Sequence, residues 1–190
     1  MARRRTSKKP TVYAFIDSQN LNLGTQKVGF KMDWRKFRKY LADTYNVTHA
    51  FMFIGYMAEN ESLYELMHEL GFLVALKPTL EVTAPVSDPA EEHAGKPDEK
   101  PVVKGNIDAD LVLYAMKELP NYDKAIIVSG DGDFLSLIEY LDEQGKLLHI
   151  MTPNWQYSSL LKQFEDRIVR IDQLKRELAY HDRKKFIKKS

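Results

Sequence analysis

Five aspartates and one asparagine stand where short apolar runs stop and helical patterns begin. Asp17 follows Val12-Tyr13-Ala14-Phe15-Ile16, and Asn20 lies three residues on. Asp108 and Asp110 open the amphipathic run that continues to Met116. Asp131 and Asp133 follow Ala125-Ile126-Ile127-Val128-Ser129-Gly130. Carboxylates gathered in one crevice repel unless protons or cations intervene. Hard divalent ions such as Mg²⁺ or Mn²⁺ prefer such oxygen ligands. The chemistry this points to is metal-dependent hydrolysis of a phosphodiester.

The groups differ in what else could explain them. Asp17 is delivered to the crevice by its strand. Asn20 could ligate a metal or orient its water, or its amide could hold the turn. Asp108 and Asp110 fall in a first helical turn, where acids are favoured by the helix dipole alone. Residues two apart do not share a helix face, so one of them, Asp108, is expected in the site and Asp110 behind it. In Ser129-Gly130-Asp131-Gly132-Asp133 the glycines permit a tight strand-to-helix passage. Asp131 then points into the crevice, and Asp133 caps the following helix, binds metal, or both. Ser129 could bond to the acids or to phosphate, or be an ordinary turn hydroxyl. Trp155 and Tyr157 could stack unpaired bases or pack the last helix onto the sheet.

The elements that must position these groups alternate. Strands are expected at Val12–Ile16, His49–Tyr56, Phe72–Leu76, Ala125–Val128 and Leu147–Met151. Helices are expected at Trp34 to about Tyr45, capped by Asp33 with Met32 and Phe37 as a staple, and at Glu61–Leu70 after Asn60. Others run from Ile107, capped by Asn106, to Leu119, and over Phe134–Gln144, capped by Asp133. Residues Asp17–Asn20 read as a polar turn, and Leu21–Phe30 is ambiguous because of Gly24 and Gly29. The pattern implies a doubly wound α/β sheet covered on both faces. In such sheets the carboxyl ends of the strands form the ligand crevice.

Around this core lie less regular segments. Residues 1–10 read as a basic flexible tail of charge +5, and residues 175–190 also carry +5, leaving the body at −9 against +1 for the whole chain. Basic ends add salt-sensitive contacts to nucleic-acid backbones or simply solvate the termini. Residues 78–101 contain five prolines, and six acids face two lysines between Glu81 and Lys100. That stretch reads as a flexible loop. Ser158–Phe164 begins a helical segment, and a basic helical extension follows at 171–190. The C-terminal stripe of Ile168, Ile171, Leu174 and Leu178 could pack internally or join a homodimer. The chain has no cysteine, which excludes disulfides and thiolate chemistry. It has no membrane-length apolar run and no hydrophobic leader, so a cytoplasmic location is expected. The region around Gly24 and Gly29 lacks a dinucleotide fingerprint, so no nicotinamide or flavin cofactor is expected.

Taken together, Asp17-Ser18-Gln19-Asn20, Lys104-Gly105-Asn106-Ile107-Asp108 and Val128-Ser129-Gly130-Asp131-Gly132-Asp133-Phe134 resemble the NYN domains of the PIN-like nuclease superfamily, nearest to their LabA-like bacterial branch. The likeness covers about residues 11–170. It implies a Rossmann-like three-layer sandwich with a central, mainly parallel sheet, and Mg²⁺- or Mn²⁺-dependent cleavage of RNA. It implies catalytic roles for Asp17, Asn20, Asp108, Asp131 and Asp133, the four acids among them holding metal. Lys104 matches a recurring lysine and could contact phosphate or stand as an exposed lysine beside the acidic loop. One departure stands out: many relatives place another acid later on the central helix, where this chain reads Leu113-Tyr114-Ala115. The leading expectation is a ribonuclease for single-stranded or locally unpaired RNA. A catalytically weak RNA-binding or regulatory protein and a small-molecule phosphatase are the alternatives.

Overall fold

In the computed structural model, which describes residues 9–56, 58–77 and 107–181, the chain forms one six-stranded sheet in which every pairing is parallel. The strands are β1 (Val12–Asp17), β2 (Val47–Gly55), β3 (Leu73–Lys77), β4 (Lys124–Val128), β5 (Leu147–Thr152) and β6 (Ile168–Arg170). Their spatial order is β3-β2-β1-β4-β5-β6. The order reverses between β1 and β4, so the switch point falls where Asp17 and the Ser129–Asp133 turn emerge. The register sets Ile16 opposite Val128, and the next residues on each strand are therefore Asp17 and Ser129.

Central parallel strands are buried on both faces, which explains the unbroken apolar run of β1. Val12, Ala14 and Ile16 feed one core, and Tyr13 and Phe15 the other. The first core is covered by α1 (Ser18–Lys27), α2 (Trp34–Tyr45) and α3 (Glu61–Glu69), through Leu21, Phe37, Leu41 and Met67. The second lies under α4 (Ile107–Lys117) and α5 (Leu135–Glu143), through Ile107, Leu111, Ala115, Ile138 and Leu141. This is the three-layer α/β sandwich the motifs imply. Asp33 caps α2 by accepting the Lys36 N–H at 3.1 Å, and Met32 and Phe37 share the same core.

Several local expectations are corrected. The polar turn after β1 is the first turn of α1, with Asp17 as its cap. Asn60 stands at the start of α3 without a side-chain cap bond. Asp133 does not cap α5. The turn Gly132–Phe134 is a 3₁₀ segment in which the Asp131 side chain accepts from Asp133 N–H. The segment after β5 is also 3₁₀, at Ser159–Arg167.

The C-terminal segment differs most. Ile168 lies in β6, and only Lys175–Leu178 forms an α-helix, α6. The stripe turns inward: Ile171 and Leu178 are buried in the first core. Asp33 N–H donates to Leu178 O at 2.8 Å, Tyr180 N–H to Lys31 O at 2.8 Å, and Lys36 Nζ to Ala179 O at 2.8 Å. That surface is consumed within the chain and gives no support to a homodimer. Among the described residues no helix is long and apolar enough to cross a membrane. The tail at 1–8, Lys104, the Asn106 cap, the loop at 78–101 and residues 182–190 lie outside the described residues.

Candidate active site

The ends of β1 and β4 are tied by a short relay of hydrogen bonds. Asp17 is 7% exposed. Its Oδ1 accepts the Asn20 N–H at 3.0 Å, which caps α1, and its Oδ2 accepts the Ser129 hydroxyl at 3.2 Å. Asn20 reaches the other way, its Oδ1 accepting the Gly130 N–H at 2.9 Å. Ser129 Oγ accepts the Asp131 N–H at 3.1 Å, and Asp131 Oδ1 accepts the Asp133 N–H at 3.0 Å. Both the turn-holding reading of Asn20 and the acid-bonding reading of Ser129 therefore describe bonds that are present.

Electrostatics bring α4 into the same site. Burial pushes the Asp17 carboxyl above its ordinary range; the Asn20 N–H pulls it back, Asp108 raises it, the Ser129 hydroxyl lowers it and Asp131 raises it again. Asp108 is raised first by its own partial burial, then by Asp131 and Asp133. Acids from β1, α4 and the turn after β4 thus feel one another's charge. Asp110 is held elsewhere, its Oδ2 3.0 Å from Lys77 Nζ. No group of three or more His, Cys, Asp or Glu side chains among the described residues is placed to grip a single ion.

That arrangement suits some metals better than others. Mg²⁺ keeps several waters and binds through one or two carboxylates plus substrate oxygens, rather than in an all-protein cage. The donors here are oxygens, and their protons are held up partly by one another's negative charge. Asp17 already spends one lone pair of each oxygen on protein donors. The donor chemistry is that of a hydrated hard cation rather than an all-protein cage: Asp17 is buried, Asp108 and Asp131 are half-buried and Asp133 is exposed.

The neighbouring loop contains residues that the motifs did not single out. Asn154, 4% exposed, donates from Nδ2 to Gly24 O at 2.7 Å and accepts the Gln156 N–H on Oδ1 at 2.7 Å. It pins the chain after β5 to α1. A Cβ on Gly24 would lie 2.4 Å from the Cβ of Pro153, so this helical glycine permits a close approach. A Cβ on Gly132 would lie 2.4 Å from Ser158 Oγ. The only local signal was a glycine inside a helical run. Between α1 and this loop is a groove of about 160 Å³, lined by residues including Asn20, Lys27, Gly130 and Gln156. Tyr157 packs against the second core and beside Gly130, while Trp155 is 56% exposed.

A family model for the NYN domain matches residues 11–172. The chain belongs to the NYN-domain family. Its range includes every acid of the site, and the sheet that carries them is the PIN-like sandwich. The domain is 24% identical over 163 residues to the low amplitude and bright protein LabA of Synechococcus elongatus, spanning 85% of this chain and 83% of that one. It also resembles the crystal structure of a protein of unknown function from Vibrio parahaemolyticus. There the TM-score is 0.64 and the identity 21%, with 93% of this chain and 100% of that chain covered. That likeness speaks for the fold. The match makes this domain a member of the PIN-like nuclease family.

Proposed function

We propose that this NYN domain hydrolyses phosphodiester bonds in single-stranded or locally unpaired RNA, with Mg²⁺ or Mn²⁺ as cofactor. The observation that carries the reading is that acids from three separate elements stand near the switch point, where Asp108 and Asp131 add their repulsion to the effect of burial on the Asp17 carboxyl. A fold gains no stability from such repulsion, so a bound cation is the economical explanation. When bound, the ion would neutralise the scissile phosphate and lower the pKa of an attacking water. Asp108 and Asp131 would hold it. Asp17, fixed by Asn20 N–H and the Ser129 hydroxyl, would set the negative field beneath. Asn20 holds the Gly130 backbone, and with it the approach of Asp131. Asp133 would orient water at the rim, and Lys104 would contact phosphate. A duplex brings a second polyanionic backbone toward an acidic body, which favours single strands.

One observation supports the second reading, a catalytically weak RNA-binding protein. Along α4, Leu113 is exposed, and Tyr114 packs its ring 5.5 Å from that of Phe53, so this stretch supplies no further carboxylate. Cleavage assays separate the two. Purified protein is incubated with single-stranded and duplex RNA in Mg²⁺ or Mn²⁺, with EDTA and Asp131→Asn as controls. The nuclease reading expects metal-dependent cleavage of single strands that both controls remove. Binding without turnover would give the second reading its place.

A further inference from the structure

The exposed Trp155 has a built setting. Its ring lies against the Arg170 guanidinium, 5.9 Å from ring centroid to Cζ. Arg170 is itself held in a two-pronged pair, Nη2 to Asp172 Oδ2 at 2.6 Å and Nε to Asp172 Oδ1 at 3.1 Å. A guanidinium so anchored keeps the indole in place, since cation–π contact acts within about 6 Å. More than half of the residue remains open to solvent. The chain on either side is also fixed, because Asn154 binds both Gly24 O and Gln156 N–H. An exposed tryptophan on a mobile loop would need no explanation, but here the ring is held and still uncovered.

Its position relates it to the acids. Arg170 ends β6, and the loop bearing Trp155 leaves β5, both at the carboxyl edge where Asp17 and Asp131 emerge. Two strand spacings separate β4 from β6, roughly 10 Å. The groove between α1 and the loop after β5 reaches from Asn20 and Gly130, beside the acids, to Asn154 and Gln156, near neighbours of Trp155 in the chain, and includes Lys27 and Pro153. Lys27 adds a positive charge to its lining, whereas Asn20 and Gly130 adjoin the acids. A polyanionic strand leaving the acids would follow the cation.

We propose that Trp155, backed by the Arg170–Asp172 pair, is the stacking platform for an unpaired base of the substrate strand, and that the Lys27 groove carries the backbone between that base and the scissile phosphate. The proposal rests on the ribonuclease reading above and adds the path of the strand. Stacking uses the π-face that every base has, so the platform accepts any sequence but requires an unpaired base. Tyr157, partly buried against the second core, offers less open ring than Trp155.

The test uses the full chain carrying Asp131→Asn to prevent turnover. Short single-stranded RNA of mixed sequence and the matching blunt duplex are titrated by tryptophan fluorescence and by anisotropy of labelled RNA. Trp34, the other tryptophan, packs edge-on against Phe37 and Phe72 and serves as an internal baseline. The single strand should quench fluorescence and the duplex should not. Trp155→Phe should lose the signal yet keep most of the affinity, while Trp155→Ala should weaken binding by roughly 5- to 100-fold. In the otherwise native protein, Trp155→Ala should raise KM more than it lowers kcat. Undiminished binding by Trp155→Ala, with cleavage intact, would overturn the platform and leave the nuclease reading standing. No binding and no cleavage by any form would overturn both.

Discussion

Replacing Asp17 with asparagine and with alanine separates what its charge does from what its hydrogen bonds do. Alanine removes both bonds. Losing the cap on the Asn20 N–H costs about 1 kcal/mol, and losing the Ser129 bond costs roughly another 1 kcal/mol. Asparagine keeps one oxygen for the Asn20 N–H and turns its amide toward Ser129 Oγ. It also removes a buried negative charge that Asp108 and Asp131 oppose. Asp17→Asn should therefore be more stable than Asp17→Ala by about 1–2 kcal/mol at pH 7.5. In a chain of this size that is roughly 2–8 °C in Tm. Asp17→Asn should equal or exceed the wild type.

The pH dependence gives the sign. The folded Asp17 carboxyl binds its proton more tightly than the unfolded one. Its contribution is unfavourable above the folded pKa, shrinks as pH falls through it, and vanishes below the unfolded value. Wild type should therefore gain on Asp17→Asn as pH is lowered from 7.5 toward 4. Mg²⁺ or Mn²⁺ should do the same at constant pH by stabilising the wild type more. Urea melts at three pH values, with and without metal, measure all of this. The reasoning fails if Asp17→Asn is less stable than Asp17→Ala, or if neither pH nor metal changes its gap to wild type.

Three further outcomes are expected. Gly24→Ala should destabilise by about 1–3 kcal/mol in denaturant melts, because the clash with Pro153 outweighs the roughly 1 kcal/mol of helix propensity that alanine adds. Asp110→Asn should leave metal-dependent cleavage within a few-fold of wild type in rate assays, since Asp110 faces Lys77, and should cost less than about 1 kcal/mol. Leu178→Ala should cost about 2–5 kcal/mol in the same melts while light scattering shows an unchanged mass, because Leu178 is 1% exposed inside its own chain.

Strand and helix order was legible from residue pattern because it rests on local physics. A short β-branched and aromatic run such as Val12–Ile16 favours a strand buried on both sides, and Asp33 before Trp34 supplies its own cap. That Asp17 ends a strand was legible for the same reason, and helical spacing agrees with Asp110 facing Lys77. The 3₁₀ turn at Gly132–Phe134 was not. Asp131 supplies the side-chain bond there, and the turn packs beside Ser158, which comes from a different part of the chain.

Spacing of three and four likewise made the C-terminal residues look like one helical stripe, yet β5 offered an open edge that recruited Ile168–Arg170 as a strand. Gly24 looked like a weak point in a helix and proved to be where Pro153 packs. The sequence by itself determined which residue types stand at the carboxyl ends of the strands, because strand length and turn chemistry are written locally. Only the tertiary structure decided which oxygens of Asp17 are already bonded, which acid Lys77 draws aside, and that Arg170 lies against Trp155. The Asp17–Ser129 and Asn20–Gly130 bonds join residues 112 and 110 positions apart, and only the assembled sheet brings such partners within reach.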